Sequence, residues 1–313
     1  MFNLIAKRYY FFAFSMLIIL PGVIALLLWG LNLSIDFTGG SLLDLHFENP
    51  SQPLSTSVIR TELESLGYTS GSSVQLSDNN TTLIRIRQIN NDEKNQIKAR
   101  LADVYGEEPI EQRFEAVGPS IGSQVTQGAL LAVFLATIGI LAYLAFAFRD
   151  VKNPLRYGIV TIIALVHDVL IVMGLAAVTG HFLGWEVDAL FLTAVLTVIG
   201  FSVHDSIVVF DRVRENVLRY RGESFESIVN HSVVQTLDRS INTQLTALFT
   251  LLAIYLFGGG PIQQFVLWLI VGMISGTYSS MFNAAPLLVA WENGEFSRLF
   301  GRKGNNKVKQ VPV

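Results

Sequence analysis

Six long apolar stretches constrain this chain more than any other feature of its sequence. Each is close to the roughly 20 residues that one helix needs to cross a bilayer. Only 15% of the residues are charged, whereas an average soluble domain carries about 25%, and very few of the charges lie in these six blocks. The sequence therefore predicts six transmembrane helices, at Tyr9–Leu31, Gly128–Phe148, Tyr157–Val178, Val187–Phe210, Ile241–Phe257 and Ile262–Leu288.

The positions of the basic residues predict how the chain is threaded. If the N-terminus lies inside, most lysines and arginines fall on the inner side, and the short outer connections at 179–186 and 258–261 contain none. The remaining basic residues lie in segment 32–122, which is long enough to cross regardless of its charge. Because lysine and arginine collect on the cytoplasmic side, we expect both termini in the cytoplasm and segment 32–122 outside it.

Segment 32–122, between the first two spans, has the pattern of a small α+β domain. Apolar residues alternate with polar ones in Ser41–Glu48, which is typical of a strand, and recur at helical spacing in Thr56–Leu66. The predicted order, β-α-β-β-α-β, is the ferredoxin-like arrangement. Its other elements are strands at Ser73–Ser77, Thr81–Gln88 and Glu111–Val117, a helix at Asp92–Tyr105, and a hairpin turn at Asp78-Asn79-Asn80.

These patterns divide the chain into four parts. The first is an N-terminal tail with the first span (1–31), and the second is the ferredoxin-like domain (32–122). The third contains spans two to six and a cytoplasmic loop at 211–240 (123–290), and the fourth is a basic cytoplasmic tail (291–313). The charge of the tail fits either the positive-inside rule alone or attraction to anionic lipid or a partner.

Asp205, in the fourth predicted span, is the first candidate for chemistry, because ionisable side chains inside a membrane are rare and costly. It lies five residues before Phe210, or about 8 Å of helix rise. Burial favours the neutral form of a carboxyl group, and a nearby cation favours the charged form. Asp205 can therefore act as a proton carrier. The alternative is a static, hydrogen-bonded aspartate that holds helices together.

Arg239, at the start of the fifth predicted span, is the candidate counter-ion of Asp205, because both lie towards the cytoplasmic side of neighbouring spans. The alternative is an ordinary anchor that extends to the lipid headgroups. A polar stripe follows Arg239 at helical spacing, and we expect it to face the bundle interior or a wet cavity rather than lipid. The stripe consists of Asn242, Thr243, Thr246 and Thr250.

Two further ionisable groups are candidates for the same route. Asp168, which follows His167 in the third span, is either a second relay carboxylate or a hydrogen-bonding partner across helices. His204 is either a proton relay or a neutral histidine of the interior. The chain has no cysteine, no HExxH motif and no spacing for a third ligand, so we expect no metal and no cofactor other than protons.

Two motifs resemble signatures of the SecD/SecF family of protein-export membrane proteins. The first, Asp36-Phe37-Thr38-Gly39-Gly40, follows the first span, where a bend leaving the membrane favours glycine. The second, Val198–Asn216, resembles the form found in the SecF branch of the family. The fifth span, which opens at Arg239 and closes with Tyr255-Leu256-Phe257-Gly258-Gly259, matches as well. The resemblance covers essentially the whole chain.

The resemblance implies one half of an RND-superfamily membrane fold that pairs with a homologous SecD in the bacterial inner membrane, with segment 32–122 in the periplasm. It also implies association with the SecYEG channel, often with YajC, and use of the proton motive force late in translocation to pull or hold an unfolded polypeptide. Asp205 then resembles the proton-bearing aspartate, and Arg239 its coupled arginine. Membrane lipids are the remaining partner, and no nucleic acid is expected.

Three other functions compete with this interpretation. An RND-type exporter of small molecules or lipids should have twelve spans and two large outer domains, so this chain would be a half-unit of one. A scaffold that moves no protons would use its charges only for assembly. An intramembrane enzyme would need a nucleophile–base pair or a metal motif, and neither is visible. We therefore expect a translocation motor subunit rather than an enzyme.

Overall fold

The computed structural model describes residues 3–68, 72–77, 80–149, 151 and 153–295. A 3-10 turn at Ile5–Lys7 precedes the first helix, and a π-helix at Ser280–Ala284 joins the last two. In chain order the other elements are α1 (Arg8–Trp29), α2 (Ile35–Thr38), β1 (Gly40–His46), α3 (Thr56–Ser65), β2 (Ser73–Ser77), β3 (Thr81–Ile86), α4 (Asn91–Tyr105), β4 (Ile110–Val117), α5 (Pro119–Ala147), α6 (Pro154–Leu183), α7 (Ala189–Arg219), α8 (Phe225–Phe257), α9 (Gly260–Ser279) and α10 (Ala285–Glu292).

The chain forms two units, which we call the helical unit and the sheet unit. The helical unit comprises the described residues of Met1–Asn32, Ala132–Trp185 and Leu190–Val313. The sheet unit comprises Leu33–Leu131 and a short second piece, Glu186–Ala189, which lies in the connection between α6 and α7. The sequence placed this connection among the spans, so its membership of the sheet unit is a feature that only the tertiary structure reveals.

Six helices in the described part of the chain are long and apolar enough to cross a membrane, as predicted. Several extend beyond the apolar stretches, because a helix continues past the bilayer until a residue breaks it. The fourth span reaches Arg219, and the fifth begins at Phe225, so much of the predicted loop 211–240 is helical. The break lies at Gly222, whose φ is +94°, and Ser224 then caps α8.

The sheet unit confirms the predicted ferredoxin-like arrangement. All strand pairs are antiparallel, and the order across the sheet is β2-β3-β1-β4. Asn80, with φ of +54°, belongs to the predicted hairpin turn, whereas Asp78 and Asn79 lie outside the described residues. The predicted basic tail, from Arg298 to Lys309, also lies outside them.

Helices α3 and α4 of the sheet unit cover one face of its sheet. Leu43 of β1 and Ile84 of β3 are fully buried there against Ile59 and Leu63 of α3 and Ile97 of α4. This contact follows from the period-two pattern of the strands and the amphipathic spacing of the helices. The unit therefore has a hydrophobic core of its own, as a small folded domain needs.

Glycines set the closest helix contacts in the helical unit. A Cβ atom added at Gly174 of α6 would lie 2.6 Å from the Cα of Gly22 of α1. A Cβ at Gly276 of α9 would lie 3.2 Å from the Cα of Ser202 of α7. Small residues allow backbones to approach in this way within a membrane. Gly272 and Gly276 of α9 therefore both lie at a close helix contact within the chain.

Candidate functional site

Asp168 of α6 is completely buried and has a full set of partners. Its Oδ2 accepts hydrogen bonds from Ser202 Oγ (2.6 Å) and Ser279 Oγ (2.7 Å). Its Oδ1 accepts from Ser275 Oγ (2.6 Å) and lies 2.9 Å from Nδ1 of His167. These partners match the acceptor chemistry of a carboxylate. Helices α6, α7 and α9 therefore converge on one carboxyl group.

The sequence explains how α9 brings two hydroxyls to Asp168. Ser275 and Ser279 are four residues apart, so they lie on one face of the helix. Gly276 lies beside them and lets α9 approach the backbone of Ser202 closely. Short serine side chains can reach across such a close contact. Of the two roles predicted for Asp168, the hydrogen-bonding partner across helices is the one that this geometry describes.

Asp205 of α7 is also buried, but it has fewer partners than Asp168. Its Oδ2 accepts a hydrogen bond from Thr277 Oγ1 of α9 at 2.7 Å. Its Oδ1 lies 3.8 Å from Nδ1 of His204, which is an ion-pair distance rather than a hydrogen bond. The side chain of Asp205 is 11% exposed. It therefore lies at the edge of the helical unit, between the packed interior and an open face of α7.

His204 belongs to this open face and does not lie in the interior of the chain's own helical unit. Its side chain is 58% exposed, and Gly200 and Phe201 on the same face are exposed as well. The interior of the unit takes the opposite face of α7, which carries Ser202 and Ser206. The helical period identified the residues that share a face with His204, but it could not tell which face packs inward.

The polar stripe on α8 likewise points outward, so it does not line the interior of this chain's own helical unit, and a wet cavity or a bundle shared with a partner are the predicted surroundings that remain. Asn242, Thr243, Thr246 and Thr250 are all exposed. The buried face of α8 contains Gln244 instead. A hydroxyl-rich stripe is an unfavourable surface for lipid. This stripe and His204 of α7 are therefore polar groups that the described part of the helical unit leaves uncovered within its spans.

Arg239 begins the stripe and is exposed. Within the described ranges, no hydrogen bond or ion pair joins its guanidinium to Asp205. Arg239 instead lines a cavity of about 500 Å³ whose polar wall includes Asp211, Arg214 and Gln235. Arg214 forms an ion pair with Asp211 at 2.8 Å. The structure therefore brings Asp205 together with Thr277 and His204, and places Arg239 apart from them.

A chain of hydroxyl groups continues from Asp168 along the last span. Ser206 Oγ lies 2.9 Å from Ser280 Oγ, and Ser280 donates a hydrogen bond to the backbone carbonyl of Ser202 at 3.0 Å. The π-helix begins at Ser280, and such irregular turns are frequent at functional sites. The Nε2 atom of His167 is buried without a hydrogen-bond partner in the described part of the chain.

Sequence reasoning missed the hydroxyl partners of both aspartates. It identified none of Ser275, Thr277 and Ser279 as the partner of an aspartate. The available signal was weak: four hydroxyl side chains, including that of Tyr278, within five residues of an otherwise apolar span. Their role depends on the helices that they face, which the sequence of one span does not encode.

The glycines of the Asp36–Gly40 motif occupy positions in the sheet unit that a larger residue would not fit. Gly39 has φ of +71° and Gly40 has φ of +126°, where side chains are disfavoured. A Cβ at Gly40 would lie 2.7 Å from the carbonyl oxygen of Ile86, and one at Gly39 would lie 2.9 Å from the Cα of Pro119. The motif is therefore a closely packed connection between α2, β1 and the start of α5.

The described residues contain no group of three or more histidine, aspartate or glutamate side chains that could hold a metal ion. Their ionisable groups within the spans are instead arranged as two separate carboxyl sites, one closed and one open. Together with the ferredoxin-like unit, they define a class of protein: a polytopic membrane protein with six spans and a small α+β domain between the first two.

Comparison with known proteins places this chain within that class. The family model for "Protein export membrane protein SecD/SecF, C-terminal" matches residues 96–294, and the model for the "SecD/SecF GG Motif" matches residues 29–51. The Protein translocase subunit SecF of Thermobaculum terrenum is 49% identical, over 96% of this chain and 98% of the relative. The corresponding subunit of Anaerolinea thermophila is 48% identical, with the same coverage.

A solved structure agrees with the sequence relatives. The crystal structure of SecDF, a translocon-associated membrane protein from Thermus thermophilus, superposes with a TM-score of 0.79 at 32% identity. The match covers 93% of this chain but only 39% of that longer chain. This chain therefore belongs to the SecD/SecF family of protein-export membrane proteins.

Proposed function

We propose that this chain is the SecF-type half of a proton-driven motor that assists protein export late in translocation. A SecD-type chain is the proposed partner, because this chain matches only 39% of the solved SecDF chain. The rest of that longer chain is what a separate partner would supply here. The exposed polar faces of α7 and α8 support this pairing, since a partner helix would remove them from lipid. In this proposal the complex lies in the bacterial inner membrane, with both termini cytoplasmic and the sheet unit periplasmic.

The observation that carries the proposal is the position of Asp205. Its carboxyl group is buried, has one hydroxyl donor, and lies beside the exposed His204. A proton carrier must be shielded enough to favour neutralisation and open enough to exchange protons. Asp205 meets both conditions, whereas the hydrogen bonds of Asp168 to side chains of α7 and α9 support a structural role for that residue. We therefore assign proton carriage to Asp205, with His204 and Arg239 on the route that a partner would enclose.

The mechanism requires two conformations. With Asp205 charged, the cationic Arg239 is attracted towards it across the partner interface. When Asp205 gains a proton, this attraction is lost and α7 repacks. One charge crossing 100 mV supplies about 2.3 kcal/mol, which is enough to change the populations of two such states appreciably. The periplasmic domains then hold or pull an unfolded polypeptide emerging from the SecYEG channel, with YajC as a possible accessory subunit.

Asp205→Asn tests the proton step. Inner-membrane vesicles containing this chain and its SecD-type partner are given a membrane potential, and completion of export is timed. We expect the variant to lose most of the stimulation by the potential, by about tenfold or more, because an amide cannot carry a proton. Asp205→Glu should retain part of it.

Asp103→Asn is the matched control. Asp103 is an exposed residue of α4, outside the spans, so its loss should leave export unchanged. Export by Asp205→Asn at the rate of the unmodified chain, with the complex intact, would contradict the proton role and favour a scaffold.

A further inference from the structure

A short segment between two membrane-spanning helices belongs to the sheet unit. We call this segment, Glu186–Ala189, the strap. The first residue of α7 is Ala189, and Asp205 follows sixteen residues later, or about 24 Å of helix rise. Any movement of α7 along or about its axis therefore acts directly on the strap through the chain itself. What holds the strap to the sheet unit is thus of functional interest.

Backbone hydrogen bonding makes the first attachment. Leu33 and Val187 form a parallel β-bridge, and the amide of Ser34 donates to the carbonyl oxygen of Val187 at 2.9 Å. Val187 is buried. The strap is therefore paired like a short strand with the residues that lead into the Asp36–Gly40 motif.

Asp36 makes the second attachment. Its Oδ2 accepts a hydrogen bond from the backbone amide of Ala189 at 3.0 Å. This amide belongs to the first turn of α7, where donors have no acceptor within the helix. A carboxylate at this end of a helix is also favoured by the helix dipole. The first residue of the family motif therefore caps the helix that carries Asp205.

Arg85 makes the third attachment, through an ion pair with Glu186 of the strap. Arg85 is on β3, and its guanidinium is largely buried, with 12% of the side chain exposed. Burial lowers the pKa of Arg85 to about 10, so the group remains charged at neutral pH. A buried cation needs a counter-charge, and removing it is costly. Glu186 supplies that charge from the strap.

The residues that hold the strap are themselves fixed. Asp36 lies in α2, whose amino end is capped by the hydroxyl of Ser34. A Cβ atom at Gly40 would lie 2.7 Å from the carbonyl oxygen of Ile86 at the end of β3, so β1 and β3, which also carries Arg85, pack closely here. The carbonyl oxygen of Phe37 accepts a hydrogen bond from Thr126 Oγ1 of α5 at 3.3 Å. The strap is therefore attached to a tightly packed part of the sheet unit.

We propose that Asp36 and Arg85 are positioning residues that tie the strap to the sheet unit, so that movement of α7 is passed to that unit through the strap. The transmission step rests on the proposed function, because it needs α7 to move when Asp205 exchanges a proton. The attachment of the strap does not depend on the proposed function. Two measurements therefore test the attachment and the transmission of movement separately.

The first measurement tests the attachment by hydrogen exchange in the purified complex with the SecD-type partner. In Asp36→Ala we expect the amide of Ala189 to exchange at least about tenfold faster, because the hydrogen bond to the Asp36 carboxylate is lost. Asp36→Asn retains an acceptor oxygen and should exchange at nearly the original rate. Asp103→Asn, at an exposed position on α4, is the matched control. Unchanged exchange in Asp36→Ala would overturn the attachment.

The second measurement tests transmission by a reversible rescue. The chain has no cysteine, so Leu33→Cys and Val187→Cys can be introduced as the only pair at the β-bridge. In the Asp36→Ala background we expect export to fall. Export should recover when the disulfide forms and fall again when the disulfide is reduced. A loss of export caused by misfolding would not be reversed in this way. A formed cross-link without recovery, in a complex that still co-purifies, would overturn transmission.

Asp205→Asn is assayed beside these variants. If it exports normally, the proposed proton function fails, whereas the exchange of the Ala189 amide still decides the attachment. If it is defective and the cross-link rescues Asp36→Ala but not Asp205→Asn, both the proton step and the transmission step are supported.

Discussion

Asp168 and Asp205 are both buried aspartates of the membrane helices, and their surroundings differ sharply. Asp168 has three hydroxyl donors and a neighbouring imidazole around its two oxygens. Asp205 has one hydroxyl donor, from Thr277, and an exposed neighbour, His204. The first carboxyl group is at the meeting point of three helices. The second is at the edge of the unit, beside a face that the chain leaves open.

This difference suggests two uses for a carboxyl group, which is costly to bury in a membrane: holding helices together and carrying a proton. A carboxylate whose acceptor capacity is filled by fixed donors is held in one state and ties its helices together. One with few donors can change its protonation and its partners at lower cost. Burial alone therefore does not identify a proton carrier in a membrane protein. In the proposed function, the number of fixed donors around the group and its distance from an open face distinguish a structural aspartate from a proton carrier.

Removal of the closed carboxyl group should have the largest effect on stability. Asp168→Ala leaves a cavity and deprives three serine hydroxyls of their acceptor, and we expect a loss of about 3 kcal/mol. Thermal unfolding of the detergent-solubilised complex measures it. Asp205→Ala is the matched comparison and should cost less than half as much. Equal losses for the two variants would remove the distinction between a closed and an open site.

Ser279→Ala should have the next largest effect, because it removes one of the donors to Asp168 and leaves the others. Interhelical hydrogen bonds in membranes contribute about 0.6 kcal/mol on average and up to about 1.7, and we expect a loss near the upper end of that range. The same unfolding measurement applies. Ser279→Thr retains the hydroxyl and serves as the control, and a loss as large as that of Asp168→Ala would contradict the shared-donor arrangement.

Thr277→Val tests the contribution of the one hydroxyl donor of Asp205. It keeps the shape of the side chain and removes the hydroxyl donor to Asp205. We expect a loss of stability near the membrane average of about 0.6 kcal/mol, and a fall in potential-driven export of about threefold. Thr277→Ser should behave like the unmodified chain. Export unaffected by the loss of the hydroxyl would argue against Asp205 as the carrier.

His204→Gln should have the smallest effect on stability, within about 0.5 kcal/mol, because the side chain is exposed and packs little. In the intact complex we expect export to fall, since glutamine cannot relay a proton. The corresponding change at the buried histidine, His167→Gln, should show the opposite pattern, with lower stability and nearly normal export. Lower stability from His204→Gln would indicate that this face packs inside the unit.

Much of the fold could be predicted from local patterns. The six apolar stretches predicted the spanning helices, and the alternation of apolar with polar residues in β1 predicted a strand whose ends lie within two residues of the observed ones. The site was predicted less well. The two aspartates could be found because charges are conspicuous in apolar blocks, but the serines and Thr277 around them could not, since hydroxyl residues are common in such helices.

The sequence by itself determined where the chain enters and leaves apolar surroundings, the order of strands and helices in the sheet unit, and the membrane positions of Asp168 and Asp205. These are properties of period and composition, which each segment carries alone. Only the tertiary structure decided that Asp168 is closed and Asp205 is open, that the stripe on α8 faces outward, and that the strap belongs to the sheet unit. A helical period specifies which residues share a face, whereas the direction of that face depends on contacts between segments far apart in the chain.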